Sequence, residues 1–298
     1  MSMRVFVIGA SGVIGRPAVD RLLAAGHDVS VLAYPNARAV SAGVRPVPGS
    51  LFDVDAMRAA LAGQEAVINL ATRIPSGADA LKPGAWREVD RIRTEGSRIL
   101  VDAALAAGVP RLIQESVTFV YPDSGDDWIT EQTEPAPHPR SQAATMAATA
   151  NAVRFAEHGG VGTVLRFGPL YGPDRNSGEI RARVLAGKAA VLGTPAGWLT
   201  PLHPDDAGTA VAAALVCGSG VYNVCASPVL RSDWAVALGR DAGSGTAAKF
   251  YPPLLQRLAG GRAEPLTRSQ RVSNAAFVEL TGWRPRYDRP GDGWMESP

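Results

Sequence analysis

Arg4-Val5-Phe6-Val7-Ile8, running directly into Gly9-Ala10-Ser11-Gly12-Val13-Ile14-Gly15, is the stretch that decides the fold. Five residues with strand preference meet a glycine-rich turn, and the turn opens a helical pattern over Val13–Ala25. Each glycine has a separate purpose in such a turn. Gly9 permits the tight bend, Gly12 lets the backbone approach a pyrophosphate, and Gly15 lets the helix pack closely on the sheet. The helix start then presents free N–H groups and the positive end of its dipole to phosphate oxygens. Strand, turn and helix in this order meet the structural context that a dinucleotide-binding loop requires. The loop residues expected at the cofactor are Gly9, Ser11, Gly12, Val13, Ile14 and Gly15.

Cofactor preference is read at the end of the second strand, where an acidic residue would hold the ribose hydroxyls of NAD. The chain reads Val31-Leu32-Ala33-Tyr34-Pro35-Asn36-Ala37-Arg38 there, with no acid to repel a 2′-phosphate. Arg38 is placed to clamp that phosphate, with Tyr34 or Asn36 assisting; the other reading of Arg38 is a solvated loop charge. The expected cofactor is therefore NADPH, with NADH as the alternative.

Strand patterns at Arg4–Ile8, Asp28–Leu32, Arg45–Pro48, Ala66–Leu70, Arg111–Glu115 and Thr163–Phe167 alternate with helical stretches at Val13–Ala25, Val54–Leu61, Thr94–Ala107 and Gln142–Glu157. Gly26, Gly63, Gly108 and Gly159 stand where helix-closing glycines belong. This alternation specifies an α/β protein with a Rossmann-type, doubly wound parallel sheet. After Gly168 the rhythm breaks into a turn-rich stretch, a helix near 178–187, a short strand near Ala190–Leu192 and a helix at Asp205–Cys217. The expected organisation is a dinucleotide-binding domain over 1–167, with 201–225 returning to it. A smaller, mostly helical C-terminal substrate lobe is expected from 168–200 and 226–298.

Composition narrows the function classes. The 298 residues are 46% hydrophobic and 19% charged, as expected of a globular chain and unlike a disordered one. A net charge of +2 gives no basic field for nucleic acid. The two cysteines, Cys217 and Cys225, make no disulfide framework or metal spacing and are expected as buried thiols, so no metal is expected. No apolar run reaches membrane-spanning length, and the N-terminal apolar run is expected as a first strand and not a signal peptide, which makes the cytoplasm the expected location. A small-molecule substrate is the expected partner; a homodimer is compatible with the sequence but not specified by it.

The chain resembles the extended short-chain dehydrogenase/reductases, the epimerase/dehydratase-like family. The resemblance rests on the glycine spacing, on Ala66-Val67-Ile68-Asn69-Leu70-Ala71, and on Ser116-Val117-Thr118-Phe119-Val120-Tyr121. It continues through Leu165-Arg166-Phe167-Gly168-Pro169-Leu170-Tyr171-Gly172-Pro173, Leu202-His203-Pro204-Asp205-Asp206-Ala207, Tyr222-Asn223-Val224 and Gly282-Trp283-Arg284-Pro285. The resemblance extends the cofactor site to Ser50 and Leu51, to Leu70, Ala71 and Thr72, and to Phe167, Pro169 and Leu170.

It also implies a tyrosine proton donor, a lysine four residues beyond it, and a Ser or Thr that orients a carbonyl. All three positions depart from that pattern here. The orienting hydroxyl position, four residues before Tyr121, is Val117; the Tyr-x-x-x-Lys segment aligns with His138-Pro139-Arg140-Ser141-Gln142. His138 thus stands for the tyrosine and Gln142 for the lysine whose charge would depress the tyrosine pKa. Four side chains remain as catalytic candidates. Ser116 and Thr118 flank the lost hydroxyl, and strand alternation directs both away from the side that Val117 faces. His138 is either a proton donor near neutral pH or an exposed loop residue between two prolines. Gln142 is able to hydrogen-bond the nicotinamide ribose without altering any pKa, and is otherwise a plain first-turn helix residue.

The substrate itself is a further proton source: a ketone flanked by a phenol is polarised by its internal hydrogen bond. The expected function is an NAD(P)H-dependent ketoreductase acting on a bulky aromatic polyketide-type compound, similar to the triad-lacking ketoreductases of antibiotic tailoring. An inactive NADPH-binding sensor or regulator, and a non-redox epimerase, isomerase or cyclase, are the alternatives. Trp198, Leu199, Phe250, Tyr251, Leu254 and Leu255 offer an apolar lining for a flat ligand, or ordinary lobe core.

Overall fold

The computed structural model describes residues 2–34, 40–75, 82, 84–136, 142–258, 264–289 and 292–294. In its first half the chain forms β1 (Arg4–Ile8), α1 (Gly15–Ala24), β2 (Asp28–Ala33), β3 (Arg45–Pro48), α2 (Val54–Leu61), β4 (Ala66–Asn69), α3 (Arg87–Arg91), a π-helical turn (Ile92–Gly96), α4 (Ser97–Ala106), β5 (Arg111–Val117) and β6 (Trp128–Ile129). The second half forms α5 (Ala143–Glu157), β7 (Val161–Phe167), α6 (Arg175–Leu185), β8 (Ala189–Val191), β9 (Trp198–Leu199), α7 (Pro204–Ala213), β10 (Gly220–Val224), β11 (Val229–Leu230), α8 (Arg231–Ala242), β12 (Lys249–Phe250), α9 (Pro253–Leu258), α10 (Glu264–Thr267), β13 (Arg271–Val272) and α11 (Ala275–Thr281).

Seven strands make one sheet in the order β10-β7-β5-β4-β1-β2-β3, and every neighbouring pair is parallel. Its strands read as nearly unbroken apolar runs because both faces are covered. On one face, Val5 and Val7 of β1 pack with Ala18, Val19 and Leu22 of α1 and with Ala207, Ala210 and Val211 of α7. On the other, Phe6 and Ile8 meet Met57 and Leu61 of α2, Leu100 and Ala104 of α4, and Phe155 of α5. Each fully buried side chain of this kind contributes about 1.5–3 kcal/mol. The chain reverses direction across the sheet between β1 and β4, which places a crevice at the carboxyl ends of those strands.

Helix starts follow the local sequence. Asp53 caps α2 by accepting from the N–H groups of Asp55 and Ala56, and Asp174 caps α6 in the same way. His203 caps α7 ahead of Pro204. The helix expected from Thr94 starts earlier, at Arg87, and is interrupted by the π-turn. A smaller apolar cluster outside the sheet gathers Tyr171, Val184, Val191, Val229, Trp234 and Leu238. Three short strand pairs, β8 with β12, β9 with β11 and β6 with β13, brace this region. No helix among the described residues is long and apolar enough to cross a membrane.

Candidate active site

The glycine-rich loop joins β1 to α1 at the sheet's carboxyl edge. Gly9 has φ +85°, and a Cβ there would lie 2.6 Å from the Leu70 carbonyl carbon. Only glycine meets both demands. Gly15 is packed equally hard: a Cβ would overlap the Gly9 carbonyl oxygen and come within 2.8 Å of the Ala10 backbone. The Gly12 N–H donates to Gly9 O at 3.0 Å, whereas the N–H groups of Val13 and Ile14 meet no acceptor among the described residues. Ser11 lies half-buried beside them, and the first turn of α1 carries no acidic residue. A helix terminus with unpaired donors and no competing anion matches a pyrophosphate.

The neighbouring strand ends carry the residues expected on the adenosine side. Leu51 is buried, and its backbone hydrogen-bonds the Tyr34 phenol, whose pKa burial still pushes up. Ser50 Oγ accepts from the Phe52 N–H at 3.2 Å. Arg38 and Asn36 lie outside the described residues.

At the other end of the crevice, Leu70 and Ala71 are buried and Thr72 is exposed as the chain leaves β4. Asn69 Oδ1 accepts from the Ala71 N–H, and Asn69 Nδ2 donates to Gln114 Oε1 at 2.9 Å, tying β4 to β5. Phe167 is buried at the end of β7; Pro169 and Leu170 follow half-buried, with Pro169 O accepting from Leu202 N.

Ser116 and Thr118 do not alternate on one strand as expected. Strand β5 ends at Val117 and Thr118 begins a 3-10 turn, so alternation governs Ser116 alone. Both residues are buried, 0% and 1% exposed, and neither hydroxyl has a partner among the described residues.

Gln142 precedes the first residue of α5 and is likewise buried. Its Nε2 donates to the Phe119 carbonyl, which leaves Oε1 buried without a partner among the described residues. The orientation is chemically determined, because a carbonyl only accepts. An orphaned acceptor here fits a ribose hydroxyl, and with the loop donors it makes the crevice complementary to both ends of a nicotinamide dinucleotide. His138 falls outside the described residues. The nearby Tyr121 is committed elsewhere: its phenol donates to Asn223 and accepts from Arg166, each at 2.8 Å, and burial raises its pKa.

Beside these expected residues lies a buried ion pair. Arg93, in the π-turn, donates from NH2 to Glu115 Oε1 and from NH1 to Thr145 Oγ1, both at 2.8 Å, and both charged residues are buried. The signal that points to it is Glu115 itself, a carboxylate inside a strand buried on both sides, which requires a partner. Thr145 lies three residues beyond Gln142 on α5.

The C-terminal segments reach this site through arginines. Arg268 donates to the carbonyls of Phe119 and Tyr121 and is ion-paired with Glu264 at 2.7 Å. Arg231 holds the carbonyls of Leu192, Leu266 and Arg268, and burial draws its pKa down to about 10. Of the apolar residues considered for a substrate wall, Trp198 stacks on Arg271 and donates to Asp126, while Leu199 and Phe250 pack against the lobe cluster. Tyr251 lies under Arg183, and Leu254 and Leu255 are exposed.

Residues 5–225 match the NAD dependent epimerase/dehydratase family. The chain is similar to a 3-diazoavenalumate denitrifying reductase of Streptomyces sp, 35% identical over 303 residues that span 98% of this chain and 99% of the relative. It is also similar to the L-arabinose 1-dehydrogenase (NAD(P)(+)) of Haloferax volcanii, 30% identical over 66% of this chain and 67% of that protein. Among solved structures, the UDP-glucose 4-epimerase of Thermotoga maritima superposes with a TM-score of 0.81 at 21% identity, covering 98% of this chain and 97% of that one. The Thermus thermophilus UDP-glucose 4-epimerase in complex with NAD gives 0.77 at 23% identity, covering 99% and 100%. With its glycine cradle, its parallel sheet and these matches, the chain belongs to the NAD-dependent epimerase/dehydratase family of extended short-chain dehydrogenase/reductases, enzymes that act through a nicotinamide dinucleotide.

Proposed function

We propose that the chain is an NADPH-dependent reductase whose substrate is an electrophile that accepts hydride without a proton from the protein, and that an aryl diazonium group is the class that fits best. The observation that carries this reading is Gln142. A neutral carboxamide, its nitrogen held by Phe119 O and its oxygen without a partner among the described residues, aligns in sequence with the family's lysine, and His138 aligns with its tyrosine.

The dinucleotide, when bound, supplies a hydride from its nicotinamide C4. A ketone that takes up hydride becomes an alkoxide and still requires a proton. A diazonium cation does not: hydride adds to the terminal nitrogen, and the resulting aryldiazene loses N2 as its hydrogen passes to the ring carbon. The products are the arene, N2 and the oxidised cofactor, so charge and atoms balance without an acid.

Charge supports the same choice. A lysine cation beside the reacting group would repel a cationic substrate, and Gln142 removes that repulsion. The relative that matches nearly the full length is named for denitrifying reduction of a diazo compound. NADPH follows from the absence of an acid after β2 and from Arg38.

A second reading, the reduction of a hydroxyaryl ketone of polyketide type, draws on Ser116 and Thr118. Their buried hydroxyls, without partners among the described residues, offer donors to an alkoxide that an internal phenol has already polarised.

The test is to mix enzyme, 4-deuterated NADPH and a hydroxybenzenediazonium salt, following nicotinamide absorbance, N2 release and product deuteration. A binding-dead loop variant gives the uncatalysed background. Deuterium on the ring carbon, formed only with active enzyme, is the expected result. Catalysed reduction of a hydroxyaryl ketone, with the diazonium reduced at background rate, would establish the second reading instead.

A further inference from the structure

We propose that Arg93 is a positioning residue, and that the π-turn it occupies sets the height of α5, and hence of the Gln142 carboxamide, over the nicotinamide end of the crevice. This inference rests on the cofactor site described above but not on the identity of the substrate.

Arg93 spans three elements. It belongs to the turn Ile92–Gly96, its NH2 grips Glu115 near the end of β5, and its NH1 grips Thr145 in the first turn of α5. Gln142 is the N-cap of α5, three residues before Thr145 in its first turn, so whatever holds Thr145 also limits where Gln142 sits. A second tie runs parallel to the first: Asn151 Nδ2 donates to Ser97 Oγ at 2.8 Å, and Ser97 Oγ donates to the Arg93 carbonyl. The π-turn is therefore fastened to α5 from both the side chain and the main chain of Arg93.

The same turn touches the adenosine side. A Cβ on Gly96 would approach Leu51 Cδ2 to 2.7 Å, and Arg91, just before the turn, stacks over Phe52 at 3.8 Å. One five-residue segment thus rests on Leu51 at one end of the cofactor crevice and carries the arginine that braces Gln142 at the other. A π-turn inserts an extra residue and re-aims the side chains around it, and such turns are common at functional sites.

Stability alone does not account for the arrangement. Arg93 and Glu115 are 7% and 5% exposed, and Arg93 Nε and Glu115 Oε2 have no partner among the described residues. An incompletely satisfied buried ion pair is no more stabilising than apolar residues of like volume. What it supplies is direction, because the guanidinium fork holds carboxylate and hydroxyl at a fixed spacing. Small misplacement of a reacting group costs rate: an error of about 1 Å lowers turnover on the order of 100-fold.

The test is the double variant Arg93→Met/Glu115→Leu, which removes both charges together and leaves no unpaired ion. Thermal unfolding reports whether it folds. NADPH fluorescence enhancement and emission maximum report how the nicotinamide is seated, whatever the substrate. Turnover and the primary isotope effect with 4-deuterated NADPH report hydride transfer. The expected result is a folded protein with Kd for NADPH within about threefold of wild type, an altered bound-NADPH emission, turnover reduced roughly 10- to 100-fold and a larger isotope effect. Thr145→Val, which removes one of the two grips, is expected to fall between the double variant and wild type. A double variant with wild-type emission, turnover and isotope effect would overturn the proposal. If wild-type enzyme fails to reduce the diazonium probe, the functional reading fails on its own, and the emission comparison still decides the role of Arg93.

Discussion

Replacing Gly12 separates cofactor binding from folding. Among the described residues, apart from its chain neighbours, a Cβ built on Gly12 meets the Gly9 carbonyl oxygen at 3.1 Å and nothing else within 4 Å, so a side chain there points into open space and needs only a slight shift of one neighbour. Gly12→Val is therefore expected to cost about 1 kcal/mol of stability or less, in the range of an ordinary surface change. The space that it fills is the one through which phosphate oxygens reach the N–H groups of Val13 and Ile14. Two charge-assisted hydrogen bonds at about 1.5–3 kcal/mol each are lost, roughly two to four powers of ten in Kd. Gly15→Ala is the contrasting variant. Alanine in a helix ordinarily gains about 1 kcal/mol over glycine, but here the methyl group collides with the backbone of Gly9 and Ala10, which is unable to yield. The sign reverses, and a loss of about 1–3 kcal/mol is expected. NADPH fluorescence titration and thermal unfolding on the same samples give both quantities. A folded Gly12→Val protein that binds NADPH as tightly as wild type would refute the assignment of the loop.

Three further outcomes are expected. Arg38→Ala should weaken NADPH by about 1–3 kcal/mol and leave NADH nearly unchanged; calorimetric titration checks this, and a wild-type protein that binds the two equally removes the basis for the NADPH preference. His138→Ala, Ser116→Ala and Thr118→Val should each keep most of the diazonium turnover, since a positioned general acid is worth about 10²–10⁴-fold and none is required; a loss of that size in His138→Ala would identify a histidine acid. Burial pushes the Cys217 thiol up to about 11, so it should stay inert to thiol reagents in the native protein near pH 8, with labelling that follows unfolding. Because the unfolded thiol ionises near pH 9, the unfolded chain releases its proton first, and stability should fall as pH rises from about 9 to 11; a rise in denaturation midpoint over that interval would contradict it.

Much of the architecture follows from short-range sequence. The β1 and α2 boundaries, the glycine cradle and the parallel direction of the sheet's strands are legible because apolar periodicity, turn chemistry and right-handed crossover act over a few residues at a time. The departure from the family's Tyr-x-x-x-Lys pattern at His138 and Gln142 is visible in the same way, by counting residues along the chain. What those residues do was decided elsewhere. Gln142 faces its amide nitrogen to Phe119, twenty-three positions away in sequence, and leaves its oxygen without a partner among the described residues only because the start of α5 packs on the turn that follows β5. Arg93 lies just before the helical stretch expected from Thr94, and Glu115 closes the expected fifth strand; only the π-turn and the packing of β5 bring the two together and bury them. Arg268 reaches the Phe119 carbonyl across 149 residues of chain. Sequence pattern reports which residues share a face of one element, since that depends on helical and strand periods. Which faces meet, and which polar atoms are left without a partner when they do, depends on long-range packing, and in this protein that packing sets the surroundings of Gln142, Arg93 and Glu115.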